Sequence, residues 1–398
     1  MEKSLQVHTH DSDKDGQVYN YQELADEFLP AQKREKGFVA TDMDGTLFSN
    51  DLGQLVFVEK LAQSKNWQMS PSTFNRLLIP EDYRNLLQRG SKNFINGLNP
   101  DECRKVLLLR EDIIELYEKI YEMKKYGKEI DVSHPIVNEF AMKMIKLDKF
   151  FMIMDSVLMK WFEGMLLMRT RFYAGTNKRN IAHLTRQVMS RKNGHKSMLR
   201  LTTHSSNKKD RITKQRLSAK DLEGDEEVDR IVHEIEATNR IIMDLFGKGM
   251  KVRVVTTNLK QIALTALEKS SYNPLLKQYC GGHLPIVAST LQNGDDGKFN
   301  GEMETLPVFG EEKKKILFHL QKRMRYKVMC ALGDSPRNDT PMGSVALHNG
   351  GVFVVVHDDY EKARAKFDQF YKQASKENPD QNDIGNRIWY VENKWDEQ

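Results

Sequence analysis

Apolar positions divide this chain into stretches with different spacing. "GFVAT" at 37–41 is a compact apolar run that breaks into "DMDGTLF", the pattern of a buried strand entering a loop. From about residue 54 to 246 the spacing turns helical. "DECRKVLLLREDIIELYEKIYEMKK" (101–125) predicts one long amphipathic helix, and the Met-rich stretch 134–168 predicts a long helix or a pair whose stripe is core. "EEVDRIVHEIEATNRIIMDLFGKG" (226–249) predicts a helix ending at Gly247 or Gly249. The spacing then changes again. "KVRVVTTN" (251–258), "KVMCALGDS" (327–335) and "GGVFVVVHDD" (350–359) are strand-like, and "LKQIALTALEKS" (259–270) and "EEKKKILFHLQKRM" (311–324) are helix-like. Apolar strands alternating with helices predict a parallel sheet covered on both faces.

The expected architecture is therefore α/β: a Rossmann-like parallel sheet core formed by 37–49 and 248–398, with a large, mostly α-helical insertion at 50–247. Residues 1–36 are polar and are expected to form an extension ahead of the first core strand. Within them, "DSDKDGQVYNYQE" (11–23) is partly like a calcium loop, with Asp11, Asp13, Asp15 and Gly16 in place. Gln22 stands where the bidentate Glu belongs and Glu23 falls one place late, so an acidic turn or helix cap is the favoured reading.

Composition adds three constraints. With 39% hydrophobic and 29% charged residues among 398, the chain can bury a substantial core and is not disordered throughout. Its cysteines, Cys103, Cys280 and Cys330, show no CxxC or Cys/His metal spacing. A reducing, cytoplasmic setting is expected, since the first residues lack an apolar signal centre and the most apolar helical run carries Asp155, Lys160 and Glu163. Charge is uneven: 186–220 holds eleven Lys/Arg against Asp210, a local +10 in a chain of net +5, which leaves −5 elsewhere. This segment lacks helical periodicity and reads as a long basic insert.

Candidate chemistry gathers where the strands end, because ligands of open parallel sheets bind beyond the carboxyl ends of their strands. Asp42 and Asp44 follow "GFVAT". Thr256, Thr257 and Asn258 follow "VRVV", and Gly333, Asp334, Ser335, Asn338 and Asp339 follow "VMCAL". Several carboxylates converging on one rim require a cation, and an all-oxygen site suits magnesium, which commonly also binds substrate phosphate. Hydroxyl and amide donors and a nearby lysine are the groups needed to fix phosphoryl oxygens.

In this order, "DMDGT", "VRVVTT", a lysine of "EEKKKIL" and "GDSPRND" resemble the four motifs of the haloacid dehalogenase superfamily of phosphohydrolases. The closest resemblance is to the phosphoserine-phosphatase-like branch, which carries a helical cap between the first two motifs; "RFYAGTNKRNIAHLTRQV" and Asp51 fit that branch. The resemblance implies that Asp42 is the nucleophile forming an aspartyl-phosphate and that Asp44 is the acid–base. Thr256 would bind the phosphoryl oxygens, with Gly45, Thr257, Asn258 and Asp51 around the substrate. Lys313 is the expected lysine, Lys314 and Lys315 being the alternatives. The implied metal set is Asp42, Asp44, Asp334 and Asp339 with Mg2+, Asp339 serving either a metal water or the lysine. Arg84, Arg89, Arg169 and Arg171 are the candidates for gripping a substrate carboxylate.

The expected function is thus hydrolysis of a phosphomonoester: a phosphoserine-like metabolite, a phosphorylated head group or a phosphoprotein. Two alternatives stand beside it. One is phosphoryl transfer to an acceptor other than water, and the other is a binding module that engages anionic partners through the basic segment 186–220.

Overall fold

A computed structural model describes residues 5–10, 18–62, 67, 69–79, 81–92, 100–126, 130, 133–154, 160–190, 232–277, 285–305, 307–378 and 383–393. They fall into two compact units. The first comprises Met1–Leu52, Val232–Ser289 and Leu306–Gln398, and the second Gly53–Ile231 and Thr290–Thr305.

The first unit is built on an eight-stranded sheet in the order β2-β1-β10-β9-β8-β3-β4-β5. Its strands are β1 (Gln6–Thr9), β2 (Val18–Asn20), β3 (Gly37–Thr41), β4 (Lys251–Leu259), β5 (Ile286–Ser289), β8 (Lys327–Gly333), β9 (Val352–His357) and β10 (Ile388–Glu392). From β10 to β5 every pairing is parallel, while β1 and β2 add an antiparallel edge. Every residue of β3, and nearly all of β8 and β9, is buried, as sheets covered on both faces require. The helices here are α1 (Tyr21–Phe28), α2 (Ala31–Glu35), α10 (Glu236–Gly247), α11 (Lys260–Glu268), α12 (Glu311–Met324), α13 (Thr340–His348) and α14 (Tyr360–Glu377). This is the expected α/β, Rossmann-like class.

Two elements depart from the expected boundaries. Residues 5–10 and 18–36 are not set apart from the core: β1 pairs with β10, and Tyr21 and Phe28 of α1 pack edge-on against Trp389. The helix predicted over 226–249 begins only at Glu236. Ahead of it the chain is extended, because Ser49 and Ile235 backbone N–H groups donate to His233 and Leu47 carbonyls at 2.9 and 3.0 Å, tying 47–49 to 233–235. Residues 226–231 lie outside the described residues.

The second unit is mostly helical: α3 (Leu52–Ala62, nearly all within it), α4 (Pro71–Leu78), α5 (Glu81–Gly90), α6 (Pro100–Lys125), α7 (Pro135–Met154), α8 (Lys160–Arg171) and α9 (Lys178–Met189). Ser70 caps α4 by accepting from the Thr73 N–H, and Pro71 occupies the first helical position. α6 buries Val106, Leu109, Ile113, Leu116 and Ile120, one stripe at three- and four-residue spacing. Each such side chain is worth roughly 1.5–3 kcal/mol of burial. The aromatic centre stacks Phe74 on Tyr117 at 3.9 Å and sets Trp67 against Phe140 at 4.6 Å. The hairpin β6 (Leu291–Asn293) and β7 (Phe299–Met303) belongs to this unit, although it lies far along the chain in what the sequence suggests is core. Phe299 exchanges backbone hydrogen bonds with Gly175 and Thr176, at 2.7 and 2.8 Å. Gly301, at φ +87°, lies so close to the helices that an added Cβ would sit 2.6 Å from Leu77 Cδ1. Among the described residues no helix is long and apolar enough to cross a membrane.

Lys60 of α3 is fully buried, and its Nζ has no hydrogen-bond partner. The amine lies 5.0 Å from the ring centres of Phe172 and Tyr173. Burial, and secondarily Lys124, push its pKa well below the ordinary lysine value. Lys60 therefore holds its proton less tightly in the folded state than in the unfolded one. The unfolded chain binds the extra proton, so this residue makes stability rise with pH up to the ordinary lysine range near 10.4. Lys60→Met is expected to stabilise the protein by about 1–3 kcal/mol at pH 7, the cost of an unsatisfied buried polar group. The gain should shrink at pH 10. Urea unfolding at both pH values checks this, and a destabilised variant at pH 7 would overturn it.

Candidate active site

The candidate catalytic, phosphate-binding and metal residues lie in the first unit, around the carboxyl ends of β3, β4 and β8, whereas the candidate arginines belong to the second. Asp42 is the first residue beyond β3, fixed by donation of its backbone N–H to the Leu332 carbonyl of β8 at 3.0 Å. One carboxylate oxygen, Oδ2, accepts from Lys313 Nζ at 2.9 Å and from Asn338 Nδ2 at 3.1 Å. The other, Oδ1, is buried with no hydrogen-bond partner. An orphan carboxylate oxygen in the interior is costly unless something else meets it.

The loop after Asp42 turns back on itself through Gly45, at φ +69°, where a Cβ would sit 2.3 Å from Asp334 Oδ2. Only glycine admits that approach. The turn brings Asp44 to two neutral donors: the Leu52 backbone N–H at 3.0 Å on Oδ1 and Asn258 Nδ2 at 2.8 Å on Oδ2. Asn258, expected near a phosphate, thus has its amide on Asp44, and its own backbone N–H donates to Thr256 Oγ1 at 3.2 Å. Thr256 is fully buried; Thr257 is half-buried, and its carbonyl accepts from Ser289 Oγ at 2.9 Å. The β4–β5 register breaks between Thr256 and Leu259, which turns Thr257 and Asn258 away from regular pairing.

Of the three candidate lysines, Lys313 is the one buried; Lys314 is half-buried, and Lys315 is exposed and pairs with Glu312 at 3.1 Å. Lys313 lies in the first turn of α12 and bridges Asp42 and Asp339, at 2.9 and 2.7 Å. Burial opposes its charge, but the two carboxylates outweigh burial and leave its pKa above the ordinary value. Asp339 accepts from Lys313 through Oδ1 and from the Asp334 and Ser335 backbone N–H groups through Oδ2, at 3.1 and 3.0 Å. With both oxygens occupied, Asp339 suits orienting the lysine better than contacting an ion directly. Asp334 is half-buried and receives Thr46 Oγ1 at 3.4 Å.

Carboxylate oxygens of Asp42, Asp334 and Asp339 lie within 4.8 Å of one another. Burial, then Asp339, pushes Asp42 up to about 7 against the pull of Lys313. Asp44 is raised well above the carboxylate range by burial, then by Asp51 and Asp42, and Asp334 by burial, then by Asp339 and Asp42. Crowded carboxylates with one buried lysine lack positive charge, and an oxygen-ligated divalent cation fits that deficit. The Asp334 carboxylate, close beside that of Asp42, is suited to hold it. Asp51 acts on this group through its charge on Asp44.

The sequence offers Asn338 beyond β8 without giving it a role, and Thr46, within "DMDGT", carries no separate signal. A side-chain amide beside "ND" gives no sign in the sequence of which carboxylate it will meet. Of the candidate arginines, Arg169 is committed to Asp148 through two 2.7 Å hydrogen bonds, so it is not free to grip a substrate carboxylate. Arg171 lies 3.7 Å from Glu302, Arg84 is half-buried and Arg89 exposed. The calcium-like residues 11–17 lie outside the described residues, while Gln22 and Glu23 sit in the first turn of α1. Arg186 falls within α9, and 191–220 of the basic segment lie outside the described residues.

The fold and the site define an α/β protein with a buried carboxylate–lysine centre at the carboxyl edge of a parallel sheet. No family model matches the sequence, and no curated protein sequence matches it. Solved structures do match, haloacid-dehalogenase-type hydrolases among them. A conserved protein of unknown function from Anaerococcus prevotii is 14% identical, with 98% of this chain and 94% of that chain covered and a TM-score of 0.51. That similarity concerns the fold. A probable phosphoserine phosphatase from Vibrio cholerae is 14% identical over 84% of this chain and 59% of its own, with a TM-score of 0.36. A HAD-family hydrolase from Salmonella enterica serovar Typhi is 13% identical over 84% and 69%, with a TM-score of 0.35.

Proposed function

We propose that this chain is a magnesium-dependent phosphomonoesterase of the haloacid dehalogenase type. One observation carries the reading: Asp42 is clamped through Oδ2 by Lys313 and Asn338 while its buried Oδ1 has no partner, which leaves a positioned carboxylate oxygen for attack. Asp42 Oδ1 attacks phosphorus, the ester oxygen leaves, and an aspartyl-phosphate forms. Asp44, held through both oxygens by neutral donors and biased toward its protonated form, gives its proton to the leaving oxygen and then removes one from the incoming water, which attacks phosphorus, breaks its bond to Asp42 Oδ1 and releases phosphate. Lys313 offsets charge on Asp42 and the transferred group, and the Thr256 hydroxyl supplies a donor at the end of β4. When bound, magnesium would neutralise the carboxylates and polarise a phosphoryl oxygen; Asp42, Asp334 and the Asp44 carbonyl would hold it.

With millimolar magnesium, the protein is expected to release phosphate from p-nitrophenyl phosphate, to lose that turnover in EDTA and to recover it when magnesium is restored. Turnover that persists in EDTA, or none under either condition, counts against the reading.

A further inference from the structure

Away from the carboxylate site, one face of the sheet edge has an unusual composition. The register pairs His8 with Tyr390 and Glu392 with His357, so strand alternation places His8, His10, Tyr390, Glu392 and His357 on one side. α14 covers that side. Apolar side chains are expected between a helix and a sheet, yet here His8 stacks on Tyr360 with ring centres 4.4 Å apart, and His10 lies 4.3 Å from Tyr371. His10 is 2% exposed and reaches Tyr390 Oη through Nδ1 at 2.5 Å. His357 is 7% exposed, and neither of its ring nitrogens has a hydrogen-bond partner; His8 Nδ1 is likewise buried and unpartnered.

We propose that this imidazole-rich face is an acid-sensitive latch, through which protonation frees β1, and β2 with it, from the edge of β10. A protonated ring donates through both nitrogens, and in the closed face neither nitrogen of His357 has a hydrogen-bond partner. The attachment is short. β1 is held to β10 through the pairs His8↔Tyr390 and Thr9↔Trp389, with the His10 backbone N–H donating to the Ile388 and Gly385 carbonyls at 3.1 and 3.0 Å, whereas β10 is held to β9 through five consecutive pairs, Ile388↔Phe353 to Glu392↔His357. Opening therefore separates β1 and leaves β10 in the sheet.

The charges around each ring set the direction. Burial lowers His10 to about 4, with Arg364 and Lys372 of α14 acting in the same sense and Asp368 against. Burial also lowers His357, helped by His8 on β1 and opposed by Glu392 on β10 and by Asp358 and Asp359. The rings of Tyr360 and Tyr390 complete its surroundings, at 6.2 and 6.1 Å. His10 is neutral when closed and takes up a proton when open, and His357 shifts in the same sense, so the closed state is favoured above about 6.5 and, for His10, progressively loses its advantage toward about 4. For His10 alone, the open population is expected to rise about 30-fold by pH 5. The vacated edge of β10 would then present unpaired backbone groups to another strand.

Hydrogen exchange of the full chain, corrected for intrinsic rates, tests the latch. Between pH 7.5 and pH 5, amides 6–9 and 18–20 are expected to lose protection at least tenfold more than those of β3 and β8. His10→Phe with His357→Phe should abolish that difference, and His10→Phe alone should reduce it. Equal loss across all strands, unchanged protection of 6–9, or the same pH response in the variants would overturn the proposal.

Discussion

Asp42→Asn is expected to reduce magnesium-dependent phosphate release by a factor on the order of 10³ to 10⁶, the range seen when an enzyme's nucleophile is removed. The substitution is nearly isosteric, and the amide can still accept from Lys313 and Asn338 through the oxygen they hold. Nucleophilicity is what disappears. The fold should survive, because Asp42 is pushed up to about 7 by burial and by Asp339, so its negative charge at neutral pH works against the folded state. A melting temperature equal to or above that of the native protein, together with lost turnover, is the result that assigns Asp42 to chemistry. Native-like turnover in the variant would remove Asp42 from the mechanism.

Lys313→Met should affect both stability and activity. Its ammonium group is the buried cation between Asp42 and Asp339, and methionine of similar length leaves those carboxylates facing each other without it. Breaking a buried ion pair on one side costs about 3–5 kcal/mol. The loss carries a pH signature. Without the lysine the carboxylates favour protons more strongly when folded than when unfolded, so stability falls as pH rises and recovers as pH is lowered. Melting temperatures of the variant and native protein in EDTA at pH 8 and pH 5 should therefore differ most at pH 8. Equal stability at pH 8 would show that the lysine is not needed to hold the acids together.

The central strands were legible in the sequence because β3, β8 and β9 are continuous apolar runs, and full burial on both faces leaves no polar alternation to confuse the reading. Adjacent chemistry was legible for a related reason: polar residues that follow such a run stand at the sheet's rim. Lys313 among three consecutive lysines was harder to single out, since only helix phase separates a buried lysine from two that are not. β1 is hard to read from sequence because its four residues, "QVHT", carry an imidazole, His8, where a core strand carries an apolar side chain. β6 and β7 were missed because strands of three and five residues give too little periodicity to register. The partners of Asn258 and Asn338 depend on tertiary contacts more than 200 residues apart in sequence, which no local spacing encodes.

The hairpin at 291–303 also bears on how the protein is made. During synthesis the helices of the second unit leave the ribosome first, but the strand that hydrogen-bonds Gly175 and Thr176 is translated only after 232–289. At about 5–20 residues per second, that is a wait of several seconds. For that interval the Gly175–Thr176 backbone and the surface of Leu77 beside Gly301 lack the segment that covers them, and a nascent-chain chaperone has a defined place and time to act.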